Sequence, residues 1–307
     1  AVKRHHFTVW VDMNRKVVTL DSGELIPFDK LLIAIGSRPF VPPMKGLDQV
    51  RRKFTFLKLD DAKVLGAALR PESRVLIVGA GLIGLKCAEG IHGRAASITL
   101  VDMADRILPS ILDPTGSKMI RDYVESKGIR FLLGDSVAEF QENRARLKSG
   151  KTVEFDLLVV AVGVRPNKEL AEEAGCETGR GVVIDERAAT CVPDLYAAGD
   201  CCECYDISSG QRRVLAILPN AYFQGETAGV NMAGGQKTFA NAIPMNAMGL
   251  FGLHVLTAGS YDGREIVETD VGVYKKLVVK DNLLKGFILI GEIERAGIYT
   301  ALIREQT

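Results

Sequence analysis

One glycine-rich turn, in "VLIVGAGLIG" (75–84), constrains the fold of this 307-residue chain more than any other feature. Gly79, Gly81 and Gly84 follow an apolar run typical of a buried strand and open a helix-compatible stretch. In this pattern the first glycine permits a tight turn, the second lets a pyrophosphate approach the backbone, and the third lets helix and strand pack closely. The next predicted strand, "ITLVD", ends in Asp102, at the spacing expected for an acidic ribose ligand. The segment therefore predicts a dinucleotide site at a helix N-terminus.

Asp102 also bears on which coenzyme is expected. A carboxylate can accept hydrogen bonds from both hydroxyls of an adenosine ribose, whereas a 2′-phosphate would meet a like charge. Arg106 is the nearby cation that could bind such a phosphate, but it comes four residues after the strand end. NAD(H) is therefore expected rather than NADP(H), although Asp102 could also be an ordinary residue at the start of a loop.

A second feature is an internal repeat. "SGELIPFDKLLIAIGSRP" (22–39) returns as "SGKTVEFDLLVVAVGVRP" (149–166), with nine of eighteen positions identical. Each copy contains short β-rich runs, an apolar strand and a glycine turn, at Gly36 and Gly163. The second turn is expected to lie against the coenzyme held by Gly79. By analogy the first requires a glycine loop of its own, which would lie upstream of this chain, so we expect only the back portion of a first nucleotide domain here.

Composition narrows the possible partners. The formal net charge of +1 gives no electrostatic footprint for nucleic acid or an anionic membrane. No apolar run approaches the length of a membrane-spanning helix. The six cysteines show no disulfide framework, which favours a reducing cytoplasm.

Several segments together carry a family resemblance. The chain is similar to the pyridine nucleotide–disulfide oxidoreductase superfamily, flavoproteins with two dinucleotide domains. Within it the chain most resembles the branch of rubredoxin and ferredoxin reductases, NADH oxidases and the NADH-binding part of nitrite reductase. The matching segments are "FDKLLIAIGSRP", "VLIVGAGLIG", "DLLVVAVGVRPN", "PDLYAAGDCCE", "ILPNAYFQGETAGVNMAG" and "YKKLVVKDNLLKGFILIGEIERAGIYTALIR".

The resemblance implies an α/β fold with two Rossmann-like three-layer dinucleotide-binding domains, the FAD domain being incomplete, and a small α+β C-terminal domain. The expected division is the back portion of the FAD domain (1–70), the NAD(H)-binding domain (71–188), the return of the FAD domain (189–238) and a C-terminal interface or dimerisation domain (239–307). A helix over 59–69, a turn at "DNLLKG" (281–286) and a terminal helix from Glu294 are also expected.

It also implies two cofactor sites. In such proteins the carboxylate after the last FAD-domain strand, here Asp200, binds the ribitol, and a helix starting near Pro219 points its N-terminus at the flavin. The residues expected at NAD(H) are Gly79, Gly81, Leu82, Ile83, Gly84, Asp102, Val162 and Gly163. Those expected at FAD are Ala34, Ile35, Gly36, Gly199, Asp200, Pro219 and Asn220. No metal ligands and no catalytic side chain are assigned.

One departure from the family pattern, besides the expected absence of the front portion of the FAD domain, is at Lys86. Lys86 stands where many relatives carry a glutamate beside the flavin, which puts an acid–base role at that position in doubt. It could instead be a solvated helix residue. The cluster Cys201, Cys202 and Cys204 lacks metal-site spacing, so buried or loop cysteines are favoured over a flavin-coupled redox thiol or a metal site.

The function expected is hydride transfer from NADH to FAD, with the electrons passing to a small redox protein, a nitrite reductase centre or a small molecule. A homodimer is possible. One alternative is a thiol-dependent NADH oxidase, peroxidase or CoA-disulfide reductase whose redox cysteine lies upstream. Another is a non-catalytic nucleotide-binding or oligomerisation fragment.

Overall fold

A computed structural model describes residues 6–307. The first part of the chain contains β1 (Thr8–Asp12), β2 (Val17–Leu20), β3 (Leu25–Pro27), β4 (Leu31–Ile33), β5 (Ser37–Pro39), β6 (Lys53–Phe54) and α1 (Leu59–Ala68). Next come β7 (Arg74–Val78), α2 (Leu82–Ile91), β8 (Ser97–Asp102), α3 (Pro114–Glu125), β9 (Arg130–Leu133), β10 (Val137–Gln141), β11 (Arg144–Leu147), β12 (Thr152–Glu154), β13 (Leu157–Val160) and β14 (Val164–Pro166).

The remaining elements are α4 (Glu169–Glu173), β15 (Val182–Val183), β16 (Leu195–Ala197), β17 (Cys202–Asp206), β18 (Gln211–Val214), α5 (Leu218–Met232), β19 (Met245–Leu250), β20 (Leu253–Gly259), β21 (Arg264–Asp270), β22 (Val273–Lys280), β23 (Leu283–Ile290) and α6 (Ala296–Glu305).

A parallel five-stranded sheet in the order β6-β13-β7-β8-β9 is the centre of a three-layer unit. Successive side chains of a strand point to opposite faces of the sheet, so β7 contributes side chains to the hydrophobic cores on both faces. Val75 and Ile77 pack with helices α2 and α3, while Leu76 and Val78 pack with the meander β10-β11-β12. Because both faces are covered, the strand is apolar throughout. This confirms the predicted Rossmann-like, three-layer α/β architecture.

The two copies of the repeat adopt the same structure. The bounds of β11, β12 and β14 are those of β2, β3 and β5 shifted by 127 residues, and a three-stranded antiparallel meander leads into each copy. Gly23 and Gly150 occupy equivalent tight turns at φ +84° and +88°, a conformation that L side chains rarely adopt.

Strand β4 differs from its counterpart β13 in burial. Its ladder partner among residues 6–307 is β16 alone, whereas β13 lies between β6 and β7. Leu31 and Leu32 are therefore only half-buried, although their apolar sequence is typical of a strand that is covered on both faces.

The C-terminal unit is an antiparallel sheet in the order β19-β20-β23-β22-β21 with α6 packed against it. The turn predicted at "DNLLKG" is shorter than expected. Asp281 and Asn282 alone turn the chain, at φ +54° and +59°, and residues 283–286 belong to β23. A two-residue hairpin with both residues left-handed matches the twist of the flanking strands. None of the helices within residues 6–307 has the length and apolar character needed to cross a membrane.

Candidate functional site

The three glycines of the glycine loop differ in the space beside them. A Cβ on Gly79, at φ +112°, would lie 2.3 Å from the carbonyl oxygen of Ala161 at the end of β13. A Cβ on Gly84 would lie 2.0 Å from the carbonyl oxygen of Gly79, so this glycine lets α2 approach β7. A Cβ on Gly81 would meet no atom of residues 6–307 within 4 Å. The space beside Gly81 is therefore open to a ligand.

Helix α2 begins in this space without a side-chain cap. Gly81 is its N-cap and provides no capping hydrogen bond, so the first N–H groups of the helix, at Leu82 and Ile83, are available. Leu82 is exposed and Ile83 is half-buried. An uncapped helix N-terminus beside open space favours an anion such as a pyrophosphate.

Asp102 lies beside the glycine loop at the end of β8. One carboxylate oxygen accepts the N–H of Ala80 at 2.6 Å, and the other accepts the N–H of Ala104 at 2.8 Å. A carboxylate has about four lone-pair directions, so it can still accept ribose hydroxyls. Asp102 thus also fixes the loop that follows Gly79, a role that the sequence pattern did not reveal.

Val162 and Gly163 lie next to this loop because β13 and β7 are neighbours. The N–H of Ala161 donates to the carbonyl of Val78 at 2.8 Å, which joins the ends of the two strands. Gly163, at φ +109°, is exposed and open on its Cβ side. The residues predicted for NAD(H) are therefore brought together at one edge of the sheet.

The two copies of the repeat pair with each other. Strands β5 and β14 form an antiparallel ladder with Arg38 opposite Arg165. The N–H of Phe40 donates to the carbonyl of Gly163, and the N–H of Asn167 donates to that of Gly36, both at 2.9 Å. These two bonds are equivalent under the repeat, so the ladder is locally two-fold symmetric. It holds the two glycine turns beside each other.

Side chains reinforce this ladder. Arg38 donates to Asn167 at 2.9 Å and forms an ion pair with Glu169. Asn167 in turn donates to the carbonyl of Ile35 at 2.8 Å. Asn167 lies in the segment "DLLVVAVGVRPN", but the sequence predicted no role for it. The sequence signal that could have pointed to it is its position directly after the second copy of the repeat.

The turn at Gly36 lies beside the other residues predicted for FAD. The carbonyl of Ile33 in β4 accepts the N–H of Ala198 at 3.0 Å, so Ala34, Ile35 and Gly36 leave the sheet beside Gly199 and Asp200. Gly36 is left-handed, at φ +64°, and open on its Cβ side. Ala34 and Ile35 are exposed.

Asp200 has the surroundings of a ligand-binding carboxylate. It is half-buried, it has no hydrogen-bond or ion-pair partner within residues 6–307, and burial raises its pKa. Gly199, at φ +84°, donates its N–H to the Gln224 side chain at 2.8 Å, which fixes the turn. A carboxylate of this kind gains from accepting hydroxyl hydrogen bonds, so it fits the polyol chain of a flavin.

Helix α5 begins close to where the sequence placed it. Leu218 is exposed, Pro219 is half-buried, and no side chain caps the helix start. Asn220 is fully buried and donates to the carbonyl of Ile243 at 3.1 Å, while its side-chain oxygen has no hydrogen-bond partner among the described residues. Asn220 therefore ties α5 to the C-terminal unit and offers no exposed atom to a ligand in this conformation.

Lys86 connects two units of the structure. Its amine donates to the carbonyl of Gly249 at 3.0 Å and pairs with Glu89. Glu89 accepts the N–H of Phe251 at 2.6 Å. Lys86 thus fastens α2 to the β19–β20 hairpin.

The cysteine cluster is part of the core. Cys201 and Cys202 are buried with their sulfurs 3.7 Å apart, and Cys204 is also buried. The pKa of Cys201 falls to about 7 because it accepts a hydrogen bond from Cys202 and from backbone N–H groups of the Gly36 turn. Burial raises the pKa of Cys204 to about 11. Residues 6–307 contain no group of three or more potential metal-ligating side chains, and all six cysteines are free.

Comparison with family models gives matches over most of the chain. Residues 2–225 match the family described as pyridine nucleotide-disulphide oxidoreductase. Residues 244–307 match the rubredoxin NAD+ reductase C-terminal domain.

Individual proteins agree with these matches. The chain is 32% identical to the NADH-dependent phenylglyoxylate dehydrogenase subunit epsilon of Aromatoleum evansii, over 96% of this chain and 72% of that subunit. It is 27% identical to the nitrite reductase [NAD(P)H] of Bacillus subtilis, over 96% of this chain but only 37% of that enzyme. A solved FAD-dependent pyridine nucleotide-disulphide oxidoreductase from Desulfovibrio vulgaris has a TM-score of 0.88 at 26% identity and covers 98% of this chain and 83% of its own.

Proposed function

Because the chain belongs to the pyridine nucleotide-disulphide oxidoreductase family, we propose that it binds NADH and FAD side by side and transfers a hydride between them. The electrons then pass to a separate acceptor, which we propose to be a redox partner protein or protein subunit. The match to a rubredoxin NAD+ reductase C-terminal domain supports an acceptor of this class.

The observation that carries this proposal is the ladder between β5 and β14. It joins Gly36, in the turn beside Asp200, to Gly163, in the turn beside the glycine loop. Two nucleotide sites that share one hydrogen-bonded ladder can bring two cofactors into contact. The hydride donor and acceptor must approach within about 3–3.5 Å for reaction.

Each site has residues that fit its cofactor. The uncapped start of α2 and the open space at Gly81 suit the pyrophosphate of NADH, and Asp102 suits its adenosine ribose. The unpartnered Asp200 and the open Gly36 turn suit the ribitol chain of FAD. FAD supplies the two-electron chemistry when bound, while the chain aligns the two cofactors and limits access of water.

We also propose the domain order given by the sequence pattern, in which the NAD(H) unit interrupts the FAD unit. The parallel pairing of β4 with β16 across more than 160 residues supports a FAD unit built from two separate segments. The boundaries differ from those predicted at residues 70 and 188, because β6 and α1 pack with the parallel sheet of the NAD(H) unit, whereas α4 and β15 pack with β16 and β17. Residues 239–307 would form the C-terminal unit.

Anaerobic titration tests the function. Protein loaded with FAD is mixed with NADH, and flavin absorbance is followed at about 450 nm. We expect stoichiometric bleaching with NADH and a much weaker response to NADPH. Bound flavin that NADH fails to reduce would refute hydride transfer, and failure to bind NADH at all would refute the coenzyme assignment.

A further inference from the structure

A group of C-terminal side chains grips the loop that follows Asp102. This group, which we call the loop clamp, consists of Tyr261, Tyr274 and Lys276. It borders a cavity of about 610 Å³ between α3 and the C-terminal sheet. The charges in this cavity are largely paired with one another, so the cavity itself does not indicate a ligand.

The loop clamp makes three contacts across the domain boundary. Tyr274 donates to the carboxylate of Asp113, and Lys276 pairs with the same oxygen at 3.0 Å. Tyr261 donates to the carbonyl of Ile111 at 2.8 Å. Burial alone would raise the pKa of Asp113, but the bonds from Tyr274, from the N–H of Gly116 and from Lys276 hold it below its usual value.

The Lys276 side chain is 5% exposed and also pairs with Glu265 on the neighbouring strand β21. A buried amine with two carboxylate partners is costly to disturb, because removing either contact leaves charge poorly compensated. The loop is therefore held at Asp113 by a rigid sheet.

The middle of the same loop contacts the glycine turn. The N–H of Leu108 donates to the carbonyl of Ala80 at 3.2 Å, and the N–H of the same Ala80 donates to Asp102. Ser117 of α3 donates to the carbonyl of Ile107 at 2.7 Å. Leu108 is buried and left-handed at φ +50°, a conformation that its surroundings must maintain.

We propose that Tyr261, Tyr274 and Lys276 are positioning residues for NADH binding. They act through the loop of residues 103–113, which fixes the peptide at Ala80 between Gly79 and Gly81. This inference rests on the proposed coenzyme site. It assigns to the C-terminal domain a role in coenzyme affinity through contacts of its own with the NAD(H) unit.

The test uses the double variant Tyr261→Phe/Tyr274→Phe of the FAD-loaded protein, together with each single variant. Substitutions along a contact network that links two sites typically change the coupling between those sites by roughly 2- to 30-fold. We expect the Kd and KM for NADH to rise within that range, while kcat at saturating NADH and the flavin midpoint potential stay unchanged. Tyr299→Phe is the matched control, since its ring packs on Phe287 in the same domain.

Unchanged NADH affinity in folded variants would overturn the inference, as would an equal loss of kcat. If the double variant does not fold, the single variants decide by the same criteria. Wild-type protein that does not bind NADH would instead refute the proposed function, so the two failures are distinguishable.

Discussion

At the scale of single residues, Asp102 combines two tasks. We propose that its carboxylate binds the adenosine ribose, and the same carboxylate accepts the N–H groups of Ala80 and Ala104. In the wild type, loss of two ribose hydrogen bonds and like-charge repulsion should disfavour NADPH by about 2–4 kcal/mol, or roughly 30- to 1000-fold.

Asp102→Asn is expected to weaken NADH binding and to narrow the gap between NADH and NADPH. An asparagine can accept only through its oxygen, so its NH₂ group would face one of the two backbone donors and disturb the loop. Calorimetric titration of both coenzymes measures the effect. Asp105→Asn is the control, because Asp105 is exposed and, within residues 6–307, forms an ion pair with Arg106 alone. NADPH binding as tight as NADH to the wild type would contradict this reading.

At the scale of elements, the junction between β7 and α2 contains two glycines for which different effects are expected. Gly84 should matter for stability, and Gly81 should matter for ligand binding. Gly84→Ala would place a Cβ 2.0 Å from the carbonyl oxygen of Gly79, so it should destabilise the protein by about 1–3 kcal/mol. Gly81→Ala meets no atom of the described residues within 4 Å and has an ordinary φ of −80°, so stability should change by about 0.5 kcal/mol or less.

Gly81→Ala should nevertheless reduce NADH affinity by roughly 10- to 150-fold, the equivalent of one lost hydrogen bond to a charged group. Urea unfolding and NADH titration of the two variants give the comparison. A Gly81→Ala protein that binds NADH normally would show that no phosphate lies against this glycine.

At the scale of the whole molecule, the ladder between the two repeat copies joins the proposed FAD and NAD(H) units. One ion pair beside this ladder, between Arg38 and Glu169, titrates in acid. The Arg38 guanidinium lowers the pKa of Glu169 to about 2. Because the folded pKa lies below the unfolded value of about 4.3, this pair stabilises the protein above that pH and the contribution is lost as pH falls towards 2. Both side chains are about half-exposed, so we expect at most about 1 kcal/mol.

Glu169→Gln should therefore reduce the pH dependence of the free energy of unfolding between about pH 4.5 and 2. Urea unfolding at several pH values measures it. Glu173→Gln, an exposed neighbour on α4, should leave the pH profile unchanged. Equal profiles for all three proteins would show that the ion pair does not form in solution.

The sequence by itself determined the features that depend on local backbone demands. A residue that must be left-handed or must lack a Cβ is recognisable as glycine, so the turns at Gly36, Gly79 and Gly163 could be located in advance. The repeat predicted that both copies share one structure, and the bounds of their strands confirm it.

Only the tertiary structure decided how these pieces meet. The pairing of Arg38 with Arg165, the bond from Ala80 to Asp102 and the grip of Tyr274 on Asp113 join residues 22 to 161 positions apart. Such contacts leave no periodic pattern in a single sequence, because a hydrogen bond between distant residues needs only a compatible donor and acceptor. Their geometry is set by the packing of the sheets that carry them.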